Sequence, residues 1–153
     1  PTLVANSFDG SIWVFDRGNG TLNKVSINST GVQLSGAIDL RQILFTELNP
    51  QQLLTDGNYL ILGNDNLIYV FDRYGTYIRK IELDSTPITV NIEGTMVNAS
   101  TQNSVYACDI RYLSAPTKYA AIGNNNLRKS VVTSNKLYEL LQGDILRISP
   151  SKK

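Results

Sequence analysis

The sequence contains no histidine. That removes Ser-His-Asp and Cys-His catalytic arrangements from this chain. There is a single cysteine, Cys108, so no intrachain disulfide is possible and a zinc site of the usual Cys/His kind is excluded. Cys108 ends the apolar run Val105-Tyr106-Ala107-Cys108, which reads as a buried structural thiol. Charge is scarce too: 18% of the 153 residues are charged and the net charge is +1. Such a balance offers no field for nucleic acid or an anionic membrane. No stretch approaches the ~20 apolar residues of a membrane span. The chain begins at Pro1 rather than Met, without a signal segment, and Leu3-Val4-Ala5 is already strand-like. It therefore reads as processed, trimmed or a fragment of a longer protein, the last being the favoured reading.

What is present is one phrase written twice. Ile12-Trp13-Val14-Phe15-Asp16-Arg17 recurs as Ile68-Tyr69-Val70-Phe71-Asp72-Arg73. Each copy passes through a Gly turn into a second phrase, Gly20-Thr21-Leu22-Asn23-Lys24-Val25 and Gly75-Thr76-Tyr77-Ile78-Arg79-Lys80. Strand, turn and strand in repetition predict a β-repeat architecture. Short apolar segments bounded by Gly, Asn and Asp continue to the end of the chain, and Val105 to Asp109 aligns with the phrase a third time. The spacing predicts one β-repeat domain over 1–153 with units at about 3–27, 51–83, 88–122 and 127–148, the last partial.

Ile12 and Val14 alternate with Trp13 and Phe15, so this strand has no polar face. A strand apolar on both faces belongs between two neighbouring sheets. Small sheets stacked that way predict an all-β, β-propeller-like array of three to four antiparallel meander blades; a sandwich or β-roll is the alternative. Closed propellers have four to eight blades. The array is therefore part of a larger propeller or closes by self-association through blade edges. Asp39 to Leu48 breaks the two-residue period. Asp39 with Gln42 resembles a capping box, Leu40, Ile43, Leu44 and Leu48 share a helical face, and Asn49-Pro50 ends the run. One short helical insertion near 39–48 is predicted, with an edge loop of buried leucines as the alternative.

Beyond the repeat, the residues resemble a known group. Asp9-Gly10-Ser11-Ile12-Trp13-Val14-Phe15-Asp16 resembles the "DGSxWvxD" strand of uncharacterised extracytoplasmic β-propeller-like proteins of Bacteroidota. Ile38 to Leu44 with Asn49-Pro50 is similar to that family's "xdLxqiL…xP" connector. Asn66 to Tyr77 resembles its "GIlVFDxYGTYxK" phrase, with Asn66-Leu67 in place of Gly-Ile, and Lys136-Leu137-Tyr138 resembles its late strand. The likeness spans roughly residues 3 to 148 and corresponds to the C-terminal portion of family members. It implies a propeller-like fold and a periplasmic or outer-membrane-associated location. It brings no catalytic residues, cofactor or metal. Asp84-Ser85-Thr86 resembles the short O-glycosylation motif of envelope proteins of that phylum.

Candidate site residues follow from the strand ends and turns. Arg73, Tyr74 and Tyr77 flank the second Gly turn and are the candidate contacts for a partner or ligand. Trp13 and Tyr69 suit an aromatic platform for a sugar but equally suit cross-strand packing, as do Phe15, Phe71 and Tyr106. Asp16, Asp72 and Asp109 recur at one position. A strand-end carboxylate there binds calcium or, more commonly, accepts bonds from the backbone of the next turn. Asn64-Asp65-Asn66 lacks the spacing of a calcium loop. Thirteen scattered acids give no acid–base motif. The sequence thus predicts a non-enzymatic module that binds a protein partner or scaffolds an assembly. A carbohydrate- or ligand-binding propeller is the alternative, and a hydrolase fragment a third.

Overall fold

The computed structural model describes residues 3–120, 127–133 and 136–150. These residues form four antiparallel meander sheets and one helix of five residues. The first sheet is β1 (Leu3–Asn6), β2 (Ile12–Asp16), β3 (Thr21–Asn28) and β4 (Gly31–Asp39), paired in chain order. Helix α1 (Leu40–Leu44) leads to the second, made of β5 (Pro50–Thr55), β6 (Tyr59–Asn64), β7 (Leu67–Asp72) and β8 (Tyr77–Glu82). The third is β9 (Thr89–Glu93), β10 (Met96–Ser100), β11 (Ser104–Asp109) and β12 (Thr117–Ala120). The fourth has three strands, β13 (Leu127–Val132), β14 (Lys136–Leu141) and β15 (Ile145–Pro150).

The chain divides into two compact units, residues 1–80 and 81–153, with the boundary inside β8. In the first, Trp13 and Phe15 of β2 and Leu22 of β3 share one core with Leu60 and Leu62 of β6 and Tyr69 and Phe71 of β7. Each of these large apolar side chains contributes about 1.5–3 kcal/mol on burial. In the second, Val105 and Ala107 of β11 pack with Tyr119, Val132 and Leu137. Tyr106 and Cys108 are also buried there.

Two features differ from the reading of the sequence. The first sheet extends to Asp39, whereas the sequence closes its unit at residue 27. β4 was hidden because its residues face solvent almost throughout, so no apolar alternation marks it. The helix covers only Leu40–Leu44 rather than 39–48. Asp39 is its N-cap and accepts from the Arg41 amide at 3.1 Å, while Phe45 ends it in the left-handed region at φ 50°. Leu40 is fully buried, and Leu44 and Leu48 lean on the same core. Pro50 opens β5 instead of merely ending a helix. Of the strand expected to end the third unit, Ala121 and Ile122 lie outside the described residues.

The two copies of the phrase also sit in unequal surroundings. In β7, Ile68, Tyr69, Val70 and Phe71 are all buried, so both faces are covered. In β2, Trp13 and Phe15 are buried but Ile12 and Val14 are only half-buried. The expectation of two covered faces holds for the second copy and fails for the first.

The strand-end aspartates hold turns. Asp16 Oδ1 accepts from the Gly18 and Asn19 amides at 2.9 and 3.3 Å, and Asp72 Oδ1 from the Tyr74 and Thr76 amides at 2.9 and 2.8 Å. Asp109 accepts from the Arg111 amide at 3.1 Å and from its guanidinium at 2.6 Å. The Asn19 side chain at 2.7 Å helps hold Asp16 below the ordinary carboxylate range. Arg111 lowers Asp109 from 3.8 to about 2.

Two predictions follow from these turns. Gly75 has φ +90°, and a Cβ there would collide with Ile38 Cδ1 and lie 2.9 Å from Trp13 Cη2. Gly75→Ala combines a forbidden backbone with overpacking and should cost about 2–4 kcal/mol, read as a drop in thermal midpoint; an unchanged midpoint would refute the tight fit. Asp109 has a depressed folded pKa, so its contribution is complete above its ordinary 3.8 and fades as pH falls toward about 2. Thermal melts across this window should show a smaller acid loss for Asp109→Asn than for the parent chain.

Candidate functional site

The exposed groups of the first unit gather where two turns meet. The β1–β2 turn carries Phe8 and Asp9, and the β7–β8 turn carries Arg73 and Tyr74. The rings of Phe8 and Tyr74 meet edge to face, with centroids 5.7 Å apart and planes at 83°. The Arg73 guanidinium lies 5.0 Å from the Phe8 centroid and 5.4 Å from that of Tyr74. A planar cation on two ring faces is attracted by the ring quadrupoles, by roughly 0.5–1 kcal/mol for each exposed pair. Among the described residues no carboxylate forms an ion pair with Arg73.

Beneath this group lies Lys24 of β3. Its Nζ is 2.7 Å from Asp9 Oδ2, 4.8 Å from the Phe8 centroid and 5.7 Å from the Trp13 ring. Asp9 also accepts from the Ser11 hydroxyl at 2.5 Å and the Ser11 amide at 3.2 Å. Lys24 first, then Ser11, holds the Asp9 carboxyl well below the usual range. The cluster thus contains two cations, one anion and two exposed rings over a buried indole. Phe8 and Tyr74 are 43% and 67% exposed, which leaves their outer edges for a partner.

Local sequence explains this placement. Asp72 takes the Tyr74 and Thr76 amides, and the Gly75 amide donates to the Asp72 carbonyl at 3.0 Å, so the turn cannot relax away. Gly75, without a Cβ, lets the turn sit against Trp13 and Ile38. Across that seat, Arg73 and Tyr74 project outward.

Of the candidate contacts, the structure brings Arg73 and Tyr74 together and sends Tyr77 elsewhere. The Tyr77 ring packs edge-on against Phe71 at 5.9 Å. It also lies close enough to raise, with burial as the larger cause, the pKa of Tyr69. Trp13, Phe15, Tyr69, Phe71 and Tyr106 are buried packing residues. Phe8, Asp9 and Lys24 belong to the cluster but carry no local signal; only strand pairing and the meeting of two turns reveal them. A second Arg–Tyr pair follows Asp109: the Arg111 guanidinium lies 5.4 Å from the Tyr112 ring. There the charge is answered within the turn, since Arg111 binds Asp109 at 2.6 Å.

Other polar groupings are structural. Buried Asn64 accepts from the Asn49 amide at 2.7 Å and donates to the Glu47 carbonyl at 3.1 Å, tying the β6–β7 turn to the connector. Glu139 of β14 is fully buried and stands in register between Ser130 and Arg147. Among the described residues, no three His, Cys, Asp or Glu side chains gather where a metal ion would be held. No described helix is long and apolar enough to cross a membrane. Ser85 and Thr86 of the Asp-Ser-Thr motif are exposed between β8 and β9.

No protein-family model matches this sequence, and the search of curated proteins found no match. Solved structures do match. The chain superposes on streptogramin B lyase with a TM-score of 0.61 at 12% identity, covering 98% of this chain and 54% of that one. It covers 90% of the computationally designed protein Ika4 with 98% of its own length, at TM-score 0.63 and 11% identity. Against the extracellular domain of a hybrid two-component system of B. thetaiotaomicron the TM-score is 0.65 at 16% identity, over 97% of this chain and 20% of that one. The chain spans about half the length of streptogramin B lyase. At these identities the likeness speaks for the fold, and the fold is an all-β, β-propeller-like array of antiparallel meander blades.

Proposed function

We propose that this chain is a non-enzymatic propeller module of the bacterial cell envelope that binds a protein partner through Phe8, Arg73 and Tyr74. The observation that carries the reading is Arg73, laid across two exposed rings with no ion-pair partner among the described residues. Arg and Tyr are enriched where binding energy concentrates in protein interfaces, because each offers a large flat contact and directed donors. Arg73 and Lys24 make the patch cationic, so an acidic protein surface suits it. The extracytoplasmic location rests on the resemblance to the Bacteroidota family and agrees with the likeness to an extracellular domain.

Geometry weighs against the sugar-binding alternative at this site. A sugar stacks on an open aromatic face, but Arg73 lies over both rings and the rings stand nearly perpendicular. No glycan platform remains there. Streptogramin B lyase is an enzyme by name, yet the likeness extends to the fold alone. Without histidine, this chain offers no general base of the commonest kind.

The test is affinity capture from envelope extract of the source bacterium, comparing the chain with Arg73→Ala, Tyr74→Ala and Tyr77→Ala. Captured partner should weaken by roughly tenfold or more for the first two, the cost of a residue worth about 1.4–2 kcal/mol. Tyr77→Ala should retain it. Rising salt should weaken binding, since the patch is exposed and charged. Equal capture by all four proteins would remove the site, and selective binding to a glycan array would favour the alternative.

A further inference from the structure

We infer that the free edge of β4 pairs with the β4 edge of a second copy of this chain, antiparallel and centred on Gln33. Each of the four sheets has two edge strands, eight in all among the described residues. An edge strand offers unpaired N–H and C=O groups to any other strand, and proteins blunt such edges by short length, charge or proline. Seven of these edges are guarded in that way. β1 and β12 have only four residues each. β5 opens on Pro50 and β15 ends on Pro150. β8, β9 and β13 carry charge, at Lys80, Glu93 and Lys129. β4 has none of these guards. It is nine residues long, without proline, and uncharged from Gly31 to Ile38. Gly31 to Ser35 are all exposed.

The pattern along β4 selects a second copy as the occupant. Lys24 pairs with Gly36 and Val25 with Leu34, so Ser35 is an extra residue where the strand bulges. A bulge bends its strand, which confines straight pairing to Gly31 through Ser35. Within that stretch Val32 and Leu34 stand symmetrically about Gln33. An antiparallel pair centred on Gln33 sets Val32 of each copy opposite Leu34 of the other, and Gly31 opposite Ser35. The edge is thus its own complement, as a two-fold interface requires. Ile27 of β3 stands beside Val32 on the same face. Ile27, Val32 and Leu34 are 66%, 71% and 65% exposed. Pairing joins the two patches into one stripe of six apolar side chains. No charged residue lies between Val25 and Ile38, so no like charges meet across the axis. All of these residues belong to the first unit. The contact is smaller than the ~1,200 Å² at which standard interfaces begin, so the association is reversible and depends on concentration.

Sedimentation velocity on residues 1–153, over a dilution series reaching several hundred micromolar, tests this. The parent chain should pass from monomer to twice the monomer mass as concentration rises. Leu34→Lys should stay monomeric with an unchanged far-UV circular dichroism spectrum, because the side chain is exposed. Should that variant lose its spectrum, Val32→Lys replaces it on the same face. Cysteine substitution reads the register. Gln33→Cys should form an intermolecular disulfide in air, since directly opposed Cα atoms lie about 4.5–5.5 Å apart, within reach of the bond. Val32→Cys should not, because its copy sits on a diagonal about 7–8 Å away. The native Cys108 is buried and stays out of the assay. A parent chain that is monomeric throughout overturns the inference. So does association that survives the lysine substitution, or equal cross-linking of the two cysteine variants. Arg73 lies outside β4, so partner capture is read separately and failure of one proposal leaves the other standing.

Discussion

The first unit depends on how closely the β7–β8 turn approaches Trp13. The indole is almost fully buried, and Gly75 sits so near it that no side chain fits between. The contact joins β2 to the turn after β7, which brings the two copies of the repeated phrase into one core. On its outer side it raises Arg73 and Tyr74 beside Phe8. On its inner side the core continues through Phe15, Leu22 and Phe71. A missing Cβ at one position thus positions both the packing and the exposed cluster, and a residue that looks like turn punctuation acts as a spacer of fixed thickness.

Much of the fold was legible because the blade strands are short, apolar and bounded by turn residues. The phrase around Trp13 and Tyr69 marks β2 and β7, and its aspartate marks the turn after each. A strand-end carboxylate with amide donors two to four residues ahead is a local arrangement, so local sequence contains it. β4 was not legible, since a strand lying at a sheet edge in solvent has no alternation to display. The site was half legible for the same reason. Arg73 and Tyr74 stand in the repeat, whereas Phe8, Asp9 and Lys24 join them only through the β2–β3 register and the meeting of two turns. No periodicity within one strand announces a contact between residues 66 apart, Phe8 and Tyr74.

The two Arg–Tyr turns show how one repeat element becomes either scaffold or contact. After Asp109, the arginine folds back on its own carboxylate, and its charge is answered within the turn. After Asp72, both bonds to the carboxylate come from backbone amides, at Tyr74 and Thr76. That leaves Arg73 to lie on Phe8 and Tyr74. Arg73 follows its aspartate directly, whereas Ile110 intervenes before Arg111. The repeats thus diverge in what their arginines touch, while the shared aspartates are occupied with holding strand ends.

Two-faced strands carry a further consequence. A sheet that is apolar on both sides is stable only between neighbours, since each large side chain left in water forgoes about 1.5–3 kcal/mol of burial. β6 and β7 meet that condition within the chain. In the first sheet the face opposite Trp13 carries Val14, Val25 and Leu34, and in the fourth the face opposite Leu137 carries Tyr138, Leu140 and Leu146. Isolated exposed apolar residues are ordinary on a protein surface; residues paired across three strands on one face form a contiguous patch, which is not. The same repeated phrase therefore has both faces buried in β7, whereas in β2 only the face of Trp13 and Phe15 is fully buried.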